Sequence, residues 1–174
     1  MKNINECLKI YCEAFGNDEP EFTDLLFKNC FEDCVLSEYK NSVASMFFAL
    51  PCEIITETKK IPSIYIYAAA TAQNFRGQGF MTKLLEDYKR TLPENTVLFL
   101  RPANNGLINF YKNCGFEVIK AQNDNSAFPL VKPINSFAKI TKDITNGNGE
   151  EFTLMYYSKT PENINNLHFI YSME

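Results

Sequence analysis

Residues 61–90 read IPSIYIYAAATAQNFRGQGFMTKLLEDYKR, and this stretch decides the fold. Ile64, Tyr65, Ile66 and Tyr67 give an extended pattern that runs into small residues ending at Ala72, a smooth strand tip open to close approach. From Phe80 the apolar spacing becomes that of a helix. Phe80, Met81, Leu84, Leu85 and Tyr88 share one face, and Lys83, Glu86, Asp87, Lys89 and Arg90 the other. Gly77 and Gly79 stand at the join. Glycine there lets the backbone pass close to a ligand, and the first helical turn adds unpaired N–H groups and the positive end of the helix dipole. The segment from Arg76 to Thr82 therefore reads as an anion site, most naturally for phosphate.

Working outward, the composition sets bounds. A chain of 174 residues fits a single domain over 1–174, and about 70% of its unfolded surface should be buried on folding, enough for a core without staples. Hydrophobic residues make up 45% and aromatics 14%, and the mean hydropathy is -0.23, with no apolar run long enough for a membrane span. The opening Met-Lys-Asn-Ile-Asn-Glu lacks a secretion-type apolar stretch, so a cytoplasmic location is expected. A net charge of -4 gives no general field for nucleic acid and favours a neutral or cationic small substrate. Six cysteines, at 7, 12, 30, 34, 52 and 114, read as reduced core thiols in that setting. Cys30 and Cys34 have no second close pair and the chain has one histidine, so no metal is expected.

Two helices are expected first, over residues 3–15, with Ile4, Leu8, Tyr11 and Phe15 on one face, Cys7 between them and Gly16 as the stop, and from Pro20 to about residue 30, with Phe22, Leu25, Leu26 and Cys30 on an apolar face. Extended runs at 34–39 and 42–50 flank Lys40-Asn41 as a hairpin, and Pro51 should interrupt the second. Thr96 to Leu100 reads as a buried strand beside the central one. A helix carrying Leu107, Ile108, Phe110 and Tyr111 should stop at Cys114-Gly115, with a strand from Phe116 to Ala121. Residues 122–150 read as a polar, irregular excursion with turns at 123–126 and 146–149. Phe152 to Tyr157 has strand composition, and Leu167 to Tyr171 reads as a further short strand or a packed tail.

The phosphate turn admits several readings. A P-loop fails because no Gly-Lys-Ser/Thr follows the glycines, and a dinucleotide fingerprint fails at Thr82, where a third glycine would stand. A tight strand-to-helix connection that binds nothing is a third possibility. A fourth rests on two motifs. Arg76-Gly77-Gln78-Gly79 after a mid-chain strand resembles the pyrophosphate loop of the GNAT superfamily of acetyltransferases, whose pattern is Gln/Arg-x-x-Gly-x-Gly/Ala; Gly77 and Gly79 fill its glycine places, and Asn74 departs from its first position. The run NNGLINFYKNCGFEV is similar to the second hallmark of that family, with Asn104, Tyr111, Gly115 and Phe116 at the matching positions. The two occur in family order over roughly residues 3–121, with 152–157 as a last strand.

The resemblance implies an α/β fold (α+β by some schemes) with a mixed, mostly antiparallel central sheet flanked by helices. It implies an acetyl-CoA-dependent acetyltransferase acting on a small-molecule or peptide amine by direct attack on the thioester. Ala70, Thr71 and Ala72 would meet the thioester and pantetheine arm; Arg76, Gly77, Gln78, Gly79, Phe80, Met81 and Thr82 would hold the diphosphate; Asn104 would contact the CoA arm; and Tyr111, with an ordinary phenol pKa near 10, would protonate the leaving thiolate. A base is also needed, because an amine of pKa near 10.4 is protonated at pH 7. Glu53, Glu57 and His168 are candidates, and no spacing singles one out. The competing classes are a non-catalytic acyl-CoA-binding or regulatory module and a purely structural domain.

Overall fold

A computed structural model describes residues 3–16, 19–122, 130–140, 151–160 and 169–170. The chain divides into two compact units, Met1–Leu50 with Ile66–Leu92, and Pro51–Tyr65 with Pro93–Glu174.

In the first unit, α1 (Ile4–Phe15) starts where Asn3 accepts the Glu6 N–H at 3.2 Å and donates its own amide to Glu6 Oε1 at 2.9 Å, a reciprocal cap. It ends at Gly16, whose φ of 79° suits only a residue without Cβ. Of the expected face Cys7 and Tyr11 are buried, joined by Ile10, whereas Ile4 and Phe15 are each 43% exposed. In α2 (Pro20–Cys30) the expected Leu26 and Cys30 are buried together with Thr23 and Phe27, and Leu25 lies outside. Both helices contain more apolar residues than one face needs, and the small Thr23 takes an inward place in α2.

β1 (Cys34–Tyr39) and β2 (Ser42–Ile55) form the expected hairpin around Lys40 and Asn41, at φ 48° and 64°, the left-handed pair that a two-residue turn requires. Their core partners include Met46, Phe47, Phe48 and Leu50, all fully buried. α3 (Phe80–Thr91) adds Leu84 and the fully buried Leu85, with Tyr88 edge-on to Phe47 at 5.3 Å. Lys89, expected outside, is buried, because it continues the i, i+4 row of Met81 and Leu85.

Pro51 does not interrupt β2, which runs on to Ile55. Pairing with β1 ends at Cys34↔Phe48 and pairing with β6 (Leu130–Pro133) begins at Cys52↔Pro133, so a residue without an N–H falls where the ladder changes partners. Its carbonyl still accepts the Ile134 N–H at 3.0 Å.

In the second unit a turn at Thr56–Lys59 leads into β3 (Lys60–Thr71), whose first residues pair in parallel with β4 (Val97–Leu100), Ser63 opposite Val97. β7 (Glu151–Ser158) lies antiparallel to β4 and to β5 (Glu117–Gln122), and β8 (Phe169–Ile170) runs parallel to β5 and β6. The antiparallel pairings are the long ones. Phe99 stacks on Tyr65 at 5.1 Å, and Phe116, after α4 (Gly106–Asn113), is buried against Tyr111 and Tyr157. The fold is thus α/β with a mixed, mostly antiparallel sheet flanked by helices. The stretch 122–150 is not irregular throughout: β6 and the short α5 (Asn135–Ala138) lie inside it, anchored by the buried Val131 and Phe137. The turns expected at 123–126 and 146–149 fall outside the described residues.

Candidate active site

Glycine geometry builds the phosphate turn. After a single 3₁₀ turn at Gln73–Phe75, Gly77 and Gly79 take φ 74° and 80°, and a Cβ at either would meet nothing within 4 Å. The glycines are therefore required by backbone conformation, and the space above them is open. The turn is tied at two points, Arg76 Nε donating to the Thr71 carbonyl at 3.1 Å and Gln78 Nε2 to the Asn74 carbonyl at 2.9 Å. Asn74, the departure from the family pattern, thus serves through its backbone.

α3 then begins uncapped. Gly79 supplies no side chain, the first turn holds no acid, and the first intrahelical bond is from Lys83 N–H to the Gly79 carbonyl at 3.0 Å. The N–H groups of Phe80, Met81 and Thr82 have no intrahelical acceptor. α1 differs, since Asn3 and Glu6 fill both functions there. An uncapped start behind left-handed glycines can take an anion from solvent without displacing a protein group.

The strand leading to the turn is prepared differently from the expected smooth run. Pairing between β3 and β4 ends at Tyr65↔Phe99, and Ile66 to Thr71 continue without a registered β4 partner. Within that length Ala68 has φ 52°, a left-handed residue inside a strand, which bulges the backbone and re-aims the groups after it. Nothing in a run of alanines signals this position. Ala70 is buried, Thr71 is half-buried, and Thr71 Oγ1 shares a 2.8 Å hydrogen bond with Ser45 Oγ. The Ala72 N–H donates to Ala44 at 3.0 Å. A cleft of about 480 Å³ lies beside this end of the strand, between α1, the start of β2 and residues 72–75. Glu6 braces it by accepting the Val43 N–H at 2.6 Å. Sequence reasoning passed over Glu6, whose partner is 37 residues away.

The first unit therefore brings together all the candidates from Ala70 to Thr82. Asn104 and Tyr111 belong to the second unit, with Asn104 exposed just ahead of α4 and Tyr111 buried in it. Asn104 opens the helix through its carbonyl, which accepts the Leu107 N–H at 3.1 Å. Burial, aided by Cys114, pushes the Tyr111 phenol up to about 12 rather than leaving it at its ordinary value. Of the base candidates, Glu53 is ion-paired with Lys60 at 3.1 Å, Glu57 is exposed in the turn before β3, and His168 lies outside the described residues. The six cysteines are thiols, not disulfides; burial raises the Cys52 thiol well above its ordinary range, which makes it inert. Among the described residues no group of acidic, cysteine or histidine side chains is arranged for a metal, and no helix is long and apolar enough to cross a membrane.

The family model described as an acetyltransferase (GNAT) domain matches residues 1–119. The chain belongs to the GNAT acetyltransferase family. No curated protein matches its sequence. Among solved structures, the GNAT fold recurs in a GCN5-related N-acetyltransferase from Anabaena variabilis, at 20% identity and TM-score 0.54 over 70% of this chain and 33% of that one. It recurs in a ribosomal-protein-alanine N-acetyltransferase from Brucella melitensis, at 17% identity and TM-score 0.54 over 89% of this chain and 93% of that one. An Arabidopsis thaliana protein in complex with the bisubstrate analogue CoA-Ac-MVNAL is similar at 18% identity and TM-score 0.51, over 91% and 95% of the two chains. This GNAT chain spans between 32% and 34% of the length of three larger structures that it matches, the Anabaena one included.

Proposed function

We propose that the protein transfers an acetyl group from acetyl-CoA to an amine, by direct attack of the amine on the thioester. In this reaction the N–C bond forms, the C–S bond breaks, the amine loses a proton and the departing thiolate gains one. Acetyl-CoA supplies the activated acyl group. The observation that carries the reading is the uncapped start of α3 behind Gly77 and Gly79, where open space and unpaired N–H groups suit a diphosphate.

In this account the amides of residues 77–82 bind the diphosphate, and the strand tip at Ala70 and Thr71, beyond the β3–β4 pairing and after the left-handed Ala68, orients the acyl arm. Asn104 takes a contact to the CoA arm, and Tyr111 donates the proton to sulfur. With its pKa at about 12, Tyr111 is fully protonated at neutral pH. Handing that proton to a thiolate whose acid has a pKa near 8.5 is uphill by roughly 5 kcal/mol at about 1.4 kcal/mol per unit. Tyr111 therefore acts first as a hydrogen-bond donor to the developing charge, and as its proton passes to the leaving sulfur the proton given up by the amine restores the phenol. The amine acceptors named for similar structures, a ribosomal-protein alanine in one and a peptide-bearing analogue in another, support a peptide or small amine here.

Calorimetric titration with CoA tests the binding half of this reading. Binding that is lost when Gly77 and Gly79 are both replaced by valine supports it; no heat at any concentration in the wild-type protein overturns it. A non-catalytic acyl-CoA-binding module would keep this binding and release no thiol from acetyl-CoA with any amine.

A further inference from the structure

The phosphate turn is held from outside by a ring cluster that the proposed chemistry does not use. Residues 76–79 are all exposed, and a Cβ at either glycine would meet nothing within 4 Å, so from within the turn only the Arg76 and Gln78 hydrogen bonds hold its shape. The residues immediately before and after it are both phenylalanines. Phe75 and Phe80 meet edge-to-face with centroids 5.4 Å apart, closing the turn at its base. Tyr39, the last residue of β1, completes the cluster at 5.9 Å from Phe75 and 5.5 Å from Phe80. Its ring is 43% exposed, and Lys40 Nζ lies 5.3 Å from its centroid. A large aromatic half in solvent at a hairpin tip adds little as core. What it touches is the two residues that set the ends of the turn. Tyr39 stands where β1 enters the hairpin turn, at which Lys40 and Asn41 are both left-handed.

We infer that Tyr39 is a positioning residue for the phosphate turn: the β1–β2 hairpin clamps Phe75 and Phe80 through it and keeps the turn's amides pre-organised for the diphosphate of CoA. This rests on the CoA reading above. A turn already shaped pays no ordering cost on binding, so loss of the clamp should appear as lost affinity for phosphate-bearing ligands. The acyl arm meets β3, not the cluster, so ligands that lack the diphosphate should not feel it.

The test is calorimetry with CoA and with pantetheine, and steady-state kinetics with acetyl-CoA, on the full chain carrying Tyr39→Ala, Tyr39→Leu and Tyr39→Phe. The expected result for the alanine and leucine variants is a CoA Kd raised about tenfold, which corresponds to ~1.4 kcal/mol. Pantetheine binding should be unchanged, KM for acetyl-CoA should rise with kcat preserved, and the phenylalanine variant should behave as wild type. Equal CoA affinity in folded Tyr39→Ala overturns the inference while leaving the CoA reading intact, and no CoA binding by the wild-type protein defeats the reading itself. A parallel loss of pantetheine affinity, failure of phenylalanine to rescue, or loss of fold in both the alanine and leucine variants also overturns it, because each makes Tyr39 an ordinary structural residue.

Discussion

Replacing Gly79 isolates the conformational requirement on which the phosphate site rests. Gly79 sits at φ 80°, and a Cβ placed there meets nothing within 4 Å, so alanine brings no clash and only the cost of a left-handed backbone. That cost is about 1–2 kcal/mol for an L-residue. The turn is exposed, held by the Arg76 and Gln78 side-chain bonds and by the rings at its two ends, so residues 77–79 between them will relax rather than hold the strain, and the penalty will appear in binding. At roughly 1.4 kcal/mol per tenfold, Gly79→Ala should weaken CoA about 5- to 30-fold. Gly77→Ala, at φ 74°, should add a similar factor. Valine, which is stiffer, should do more than alanine. Asparagine visits the left-handed region and should do least. The assay is calorimetric titration with CoA, beside a thermal melt of each variant. The reasoning is refuted if Gly79→Val folds and binds CoA as wild type does, or if Gly79→Asn is as damaged as Gly79→Val.

Further predictions concern the second unit and the core. Tyr111→Phe should lower turnover by about 10²–10⁴-fold with CoA affinity nearly unchanged, since the buried ring still packs and only the donor is removed; rate and affinity measured together on a folded variant check this. Because Tyr111 is needed protonated and its pKa is pushed up to about 12, its contribution is complete below that value and lost only above it. A wild-type pH–rate profile should therefore show no Tyr111-dependent fall between neutrality and about pH 10, where a phenol at its ordinary value would already be half ionised. Leu85→Ala, at a fully buried position of α3, should cost about 2–5 kcal/mol in denaturant unfolding, and a smaller loss would mean that the helix repacks.

Much of this architecture is legible in the sequence because it is local. Gly16, Gly77, Gly79 and Gly115 all have positive φ and each sits at an element end, where a glycine is its own explanation. Lys40-Asn41 between two extended runs specifies its turn in the same way. What escaped reading depends on partners distant in sequence. The faces of α1 and α2 turn on which of several apolar residues packs best, which periodicity alone does not rank. Pro51 reads as a break until β1 and β6 are seen to exchange places beside it. β6 and α5 are too short to announce themselves against a polar background. At the candidate site the glycine turn is legible, whereas the bulge at Ala68, the brace from Glu6 to Val43 and the clamp by Tyr39 are not: the first leaves no trace in a run of alanines, and the others join residues more than thirty positions apart.

Acetyl transfer is measured most directly as release of free thiol from acetyl-CoA by the wild-type protein against a panel of primary amines and N-terminal peptides, with the acetylated product identified by mass. The account predicts thiol release that depends on one class of amine, with acetyl recovered on its nitrogen in equal amount. CoA binding with no amine-dependent thiol release across the panel would contradict it and leave a binding module in its place.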